Sequence, residues 1–293
     1  MSATAVAARP EAGLAAPLNR PTIGQRVRHA VLPVYTTLAV LYLFLPIAVM
    51  IAFSFNDPRG RQNITWQGFT LGNYVDVWSD ARITEAMLRS LTVAIVSTIA
   101  ATLLGTLIGL ALARYHFPGR GTLNIFIFLP MATPEIIMGA SLLALFVSLG
   151  VKRDIMTIVI AHVMFNISYV TVTVRARIAG FNRSLEEAAM DLGADEWTTF
   201  RKVTFPLIFP GILAAALLAF ALSIDDYVIT SFVAGQDTTF PLWVFGASRL
   251  GVPPEVNVLG TIIFGIAVIF ILGQILWSRR GGGSGAMPPP MPR

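Results

Sequence analysis

Apolar residues run along this chain in blocks too long for the helices of a water-soluble domain. A bilayer core of about 30 Å needs about 20 residues of helix. Six blocks meet that length, at 31–55, 90–113, 121–151, 155–174, 203–234 and 256–278. The first, second and fourth carry no charge; the third is interrupted by Glu135, and the fifth contains the adjacent pair Asp225 and Asp226. Transmembrane strands need about ten residues and alternate in polarity, so these continuous runs are helices. The pattern predicts an all-α membrane protein with six transmembrane helices.

Composition agrees. Hydrophobic residues make up 55% of the 293 residues and charged residues 13%, about half the share of a soluble globular chain, and mean hydropathy is +0.70. The chain has no cysteine, which excludes disulfide frameworks, thiolate metal sites and Cys nucleophiles. The net charge of +5 could suggest nucleic acid, but its distribution fits membrane orientation instead. Alternate connections collect fourteen Lys and Arg on one side and seven on the other. The richer side holds both termini, which places them in the cytoplasm; Lys152 and Arg153 are a local exception on the poorer side. No nucleic-acid partner is expected.

Three parts follow from this pattern. Residues 1–30 form a cytoplasmic arm expected to be disordered, 31–278 the six-span body, and 279–293 a flexible tail rich in Gly and Pro. The first block is too long for a signal-peptide core and reads as a retained anchor. Asn63-Ile64-Thr65 matches a glycosylation sequon of little weight.

The connection between the fourth and fifth blocks, about 175–205, is too patterned for a linker. Ser184 and Glu187 have capping-box spacing and predict a helix start. Leu185, Ala188, Ala189 and Leu192 then form a small apolar stripe, and Gly193 is placed to end the helix in a left-handed conformation. Asp195 is the expected N-cap of a second short helix bearing Trp197, Phe200 and Val203. Two short helices joined at a glycine present a docking surface, and small residues on the stripe admit close approach.

Glu187-Ala188-Ala189, Gly193, Val203, Pro206, Pro210 and Gly211 at these spacings resemble the "EAA" loop of bacterial ABC-importer permeases. The resemblance implies a type I ABC-importer-like bundle whose cytoplasmic coupling helix enters a groove of a separate ATPase. Glu186, Glu187, Ala188, Ala189, Leu192, Gly193 and Ala194 would then form the ATPase-docking surface. It also implies a second homologous permease chain, cytoplasmic ATPase subunits and an external substrate-binding protein, in a bacterial inner membrane. Ser54-Phe55-Asn56-Asp57, Pro134-Glu135-Ile136, the run from Leu222 to Thr230, and Pro254-Glu255-Val256-Asn257 further resemble the spermidine/putrescine importer permeases. That resemblance runs from the first block to the sixth and implies a polyamine as the small-molecule substrate.

Charges inside a membrane are costly and mark a pathway or a partner. Glu135, Asp225, Asp226 and the adjacent Tyr227 are candidates for a cation path, with Pro130 and Pro134 expected to break the third helix and open it toward a cavity. The competing reading has Glu135 protonated or bonded to a neighbouring helix and the Asp pair capping a helix break. His162, Asn166 and Tyr169 share one face of the fourth helix, where interhelical hydrogen bonding is the main expectation and substrate contact the alternative. Gly105 and Gly109 form a close-packing motif. Trp66, Phe69, Tyr74 and Trp78 in the first external loop suit either a binding-protein contact or interfacial anchoring.

A P-loop needs Gly-Lys-Ser or Gly-Lys-Thr, and neither Lys152 nor Lys202 follows a glycine. Dinucleotide motifs and metal-ligand spacings are also missing. The chain therefore reads as a non-catalytic transport subunit without a cofactor, its energy coming from another chain. A self-sufficient secondary carrier, which would show an inverted repeat, is the alternative in another class. A membrane enzyme is a third reading.

Overall fold

The computed structural model describes residues 23–60 and 62–281, and they are almost entirely helical. Of the expected arm (1–30) and tail (279–293), residues 1–22 and 282–293 lie outside the described residues, whereas 23–30 and 279–281 are helical. Two compact units divide the chain, one ending at Ala52 and one starting at Phe53. The first unit is built on helix α1 (Ile23–Ser54), whose candidate span Val31–Ser54 coincides with the first apolar block. Its side chains from Val31 to Leu45 are uncharged and, apart from Thr36 and Thr37, largely apolar, and most are exposed, as suits a helix solvated by lipid.

The second unit opens with a loop whose two asparagines organise it. Asn56 donates to Asn63 Oδ1 at 2.6 Å and to the Thr65 carbonyl at 2.8 Å, while Asn63 donates to the Phe53 carbonyl at 2.7 Å. Asn63 is buried, so the sequon side chain is committed to the loop. After the short α2 (Asn73–Asp76), α3 (Ala81–Arg114) begins at Asp80, whose carboxylate accepts from the Arg82 backbone N–H. The third apolar block is two helices, α4 (Arg120–Ala132) and α5 (Glu135–Ser148), bent by 109° at their junction. Pro134 forces Thr133 into an extended conformation and makes the break, whereas Pro130 stays inside α4, contrary to its expected role.

Helix α6 (Ile155–Ala179) starts with a capping box between Asp154 and Thr157. The docking loop contains α7 (Ser184–Asp191) and α8 (Glu196–Thr199). A π-helical turn (Phe200–Thr204) then joins α8 to α9 (Phe205–Ile224). The fifth block, 203–234, breaks at Asp225 and resumes as α10 (Val228–Val233), in line with the competing reading of the Asp pair. Helices α11 (Phe240–Leu250) and α12 (Pro254–Gly281) complete the order. Among the described residues, four helices are long and apolar enough to cross a membrane, or five if the bent α4–α5 pair is one span.

Helices α3, α6 and α9 form the central packing. Ala101, Val170, Val174, Ile208, Ala215 and Ala219 are fully buried between them. Gly105 lies so close to α6 that a Cβ there would come within 2.7 Å of the Val170 side chain, and a Cβ at Gly109 within 3.2 Å of the Thr171 carbonyl. Lipid is as apolar as these side chains, so close van der Waals contact holds the helices together, and small residues permit it. A second cluster joins α5, α6 and α10 through Leu142, Phe146, Ile158, Phe165, Ile229 and Val233.

Candidate functional site

The docking loop is built as expected at its centre and differently at its start. Asn182, rather than Ser184, caps α7: its Oδ1 accepts from the Ser184 N–H at 3.1 Å, and the Ser184 side chain makes no capping bond. Glu187 turns back to Arg183 at 3.7 Å instead of completing a capping box. The helix ends at Gly193 with φ of +88°. The Gly193 N–H donates to the Met190 carbonyl and the Ala194 N–H to the Ala189 carbonyl, the paired bonds of a Schellman stop. Asp195 occupies the N-cap position of α8, and the Thr198 hydroxyl holds its carboxyl below the usual carboxylate range.

The two adjacent glutamates of α7 point in different directions. The Glu187 side chain is 60% exposed, whereas that of Glu186 is 13% exposed. Glu186 Oε1 accepts from Arg114 Nη2 at 2.8 Å and from the Thr204 hydroxyl at 2.6 Å. The Arg114 guanidinium also lies 5.4 Å from the centre of the Phe181 ring. Glu186, placed by sequence with the docking residues, is thus engaged inside the chain. Ala188, Leu192 and Gly193 are exposed, and Ala189 and Ala194 half-buried. Leu192 is 90% exposed, with Leu185, Met190 and Trp197 also open, so an apolar surface surrounds the Gly193 turn. Uncovered patches of this kind mark contact sites.

The second candidate region is the break between α9 and α10. Asp226 is turned inward: its carboxylate accepts from the Thr230 N–H at 2.8 Å, the Thr230 hydroxyl at 2.7 Å and the Ile229 N–H at 3.3 Å. These bonds satisfy the free N–H groups at the start of α10. His162 Nε2 lies 2.9 Å from Thr230 Oγ1 and 3.3 Å from Asp226 Oδ2. On its other side, His162 Nδ1 is 2.6 Å from Ser223 Oγ, which is 2.9 Å from Ser97 Oγ. One buried polar chain therefore runs through α3, α6, α9 and α10. It meets the interhelical expectation for His162. Asn166 is buried, but its amide makes no hydrogen bond among the described residues, and Tyr169 packs on Phe165 with ring centres 4.9 Å apart.

Asp225 faces the other way. It is exposed and borders a cavity of about 510 Å³ whose walls include Met87, Ile224, Tyr227, Phe240, Val244 and Phe245. Tyr227 and Phe245 have ring centres 4.2 Å apart, and the Arg249 guanidinium lies 4.5 Å from the centre of the Phe245 ring. Asp225 is the one charged group among the residues lining this cavity. Glu135 does not join it. That carboxylate is exposed in the first turn of α5, where the helix dipole favours a negative charge. No group of three His, Asp or Glu close enough to hold a metal ion occurs among the described residues.

Sequence reading missed Arg114, Thr204, Ser97, Ser223, Thr230 and Phe245. Arg114 carried a signal, being the cation that ends the second span. The lone serines Ser97 and Ser223 carried a weaker one, as small polar residues within apolar helices.

The comparisons with known proteins fit this geometry. A family model described as "Binding-protein-dependent transport system inner membrane component" matches residues 101–280. The chain is 38% identical over 246 residues to the Escherichia coli K12 spermidine/putrescine transport system permease protein PotC, covering 84% of this chain and 92% of that protein. It is 39% identical over 248 residues to the E. coli K12 putrescine transport system permease protein PotI, covering 82% and 87%. A solved bacterial ABC transporter involved in import of the acidic polysaccharide alginate has a chain of similar fold, with TM-score 0.64 and 19% identity. That match covers 88% of this chain and 98% of the other. A bacterial alginate ABC transporter solved in complex with an alginate pentasaccharide-bound periplasmic protein matches with TM-score 0.63 and 16% identity, covering 90% of this chain and 99% of that chain. This chain belongs to the binding-protein-dependent inner-membrane permeases, the non-catalytic transmembrane subunits of ABC importers.

Proposed function

We propose that this permease forms half of the translocation path for a polyamine of the spermidine and putrescine class. Its six spans, with α4–α5 and α9–α10 as broken ones, have both termini in the cytoplasm. A second, homologous permease chain completes the path. ATPase subunits dock on the exposed apolar surface around Gly193, and an external binding protein delivers the solute. The names and 38–39% identity of the relatives support this substrate class. The observation that carries it in this chain is the cavity beside Asp225.

A polyamine alternates ammonium groups with short methylene chains. Asp225 supplies a carboxylate for one ammonium, the Tyr227 ring supplies a π face for a cation, and the aliphatic walls receive the methylenes. A single carboxylate makes a weak site, as transport requires, because tight binding would hold the substrate in place. Asp226 serves the path indirectly by holding the start of α10.

The test is uptake of labelled spermidine and putrescine in cells with and without this chain, the other components being present. Loss of ATP-dependent uptake on deletion is the expected result; unchanged uptake would overturn the substrate assignment. Arg249 beside Phe245 favours a second reading, another small solute carrying an anionic as well as a cationic group. Competition of uptake by zwitterionic solutes, rather than by diamines, would select it.

A further inference from the structure

Helix α7 is held to the rest of the chain by very little. None of its residues is buried, and Glu187, its other side chain in an ion pair, pairs locally with Arg183. Among the described residues, the bonds of Glu186 to Arg114 and Thr204 are the only side-chain hydrogen bonds joining α7 to another element. Both converge on the same oxygen, Oε1; Thr204 is buried and the Arg114 side chain half-buried.

The partners occupy informative positions. Arg114 is the last residue of α3, and Thr204 is the last residue of the π turn from which α9 continues. Helices α3 and α9 both belong to the central packing with α6. The cation of Arg114 also meets Phe181, three residues before α7 begins. The docking loop is therefore fastened to the end of α3 at its entrance by Phe181 and within α7 by Glu186, while Glu186 also reaches its exit at Thr204. The exit is a π turn, a local irregularity that occurs often at functional positions because its longer hydrogen bonds interrupt a regular helix.

We propose that Glu186 is a positioning residue that makes α7, α3 and α9 move together, so that a displacement imposed on the docking helix reaches two core spans through one carboxylate. The inference rests on the reading of α7 as the ATPase-docking helix. Coupling between distant parts is carried by packed side chains and hydrogen-bond networks that join rigid elements, and the bonds of Glu186 join α7 to two of them. Thr204 is its second half: its hydroxyl, not its methyl group, makes the contact.

The test uses the complete transporter in proteoliposomes, with binding protein and labelled spermidine. In Glu186→Ala and Thr204→Val, substrate transported per ATP hydrolysed should fall about tenfold, within the usual range of coupling free energies, while the ATPase still copurifies. Thr204→Ser, which keeps the hydroxyl, should transport as wild type does. Unchanged transport per ATP in Glu186→Ala and Thr204→Val would overturn the proposal. Loss of ATPase copurification in Glu186→Ala would also overturn it, by making Glu186 part of the docking surface. Leu192→Glu tests the underlying reading separately. It should abolish copurification, and retention of the ATPase there would remove α7 as the docking helix whatever Glu186 does.

Discussion

The chain contains two adjacent acidic pairs, Glu186-Glu187 in the docking loop and Asp225-Asp226 at the break between α9 and α10, and both are divided in the same way. One carboxylate of each pair turns inward and is used up by the chain's own donors: Glu186 by Arg114 and Thr204, Asp226 by Thr230, Ile229 and His162. The other, Glu187 or Asp225, remains open to a partner. The two regions differ in depth. Asp226, whose side chain is 9% exposed, sits within a polar chain that crosses the helices, while Glu186 lies at the edge of the bundle. In a low-dielectric interior an unpaired carboxylate is costly, so the buried member must be satisfied before its neighbour can be spared for function.

The sharpest way to break this comparison is Asp226→Ala. It removes the cap of α10 and leaves Thr230 and His162 without a shared acceptor, and should cost about 2–4 kcal/mol. A large fall in the unfolding temperature of the purified transporter in detergent is the expected readout; unchanged stability would place Asp226 with the free carboxylates. Asp225→Asn should leave stability within about 0.5 kcal/mol, because no partner is lost. Its effect falls on the solute: half-saturating spermidine for uptake should rise about tenfold, which corresponds to about 1.4 kcal/mol.

Smaller effects sharpen the docking-loop side. Gly193→Ala places a Cβ at φ of +88° with nothing near it to clash, so the cost is backbone strain alone, about 1 kcal/mol. Hydrogen exchange of the amides at the end of α7 should rise accordingly. Gly193→Asp adds a charge to the docking surface and should abolish transport while the permease still inserts. Glu187→Ala should be nearly silent in stability, below about 0.5 kcal/mol, because its pairing with Arg183 is long and exposed. Its reading is ATPase copurification, which should weaken.

Much of this was legible in the sequence, for reasons that differ by region. Block length in apolar residues reports helices directly, and the left-handed stop at Gly193 followed from one residue's backbone freedom. The capping of α7 was misread because Asn182 and Ser184 are both good caps two residues apart, and spacing alone favours Ser184. Pro130 and Pro134 look alike in the sequence, but the break occurred where Thr133 had to leave the helical region. The division of the two acidic pairs was not legible. It depends on donors far along the chain, Arg114 for Glu186 and His162 for Asp226, which only the packing of α3 and α6 brings into reach.

The most direct test of the account is to place Asp225→Asn and Asp226→Asn side by side in the reconstituted transporter, measuring ATP-driven spermidine uptake against concentration and thermal unfolding of the same preparations. The account predicts that Asp225→Asn weakens half-saturation with its unfolding temperature unchanged, and that Asp226→Asn lowers the unfolding temperature. Wild-type uptake in Asp225→Asn, together with weakened half-saturation and full stability in Asp226→Asn, would contradict it.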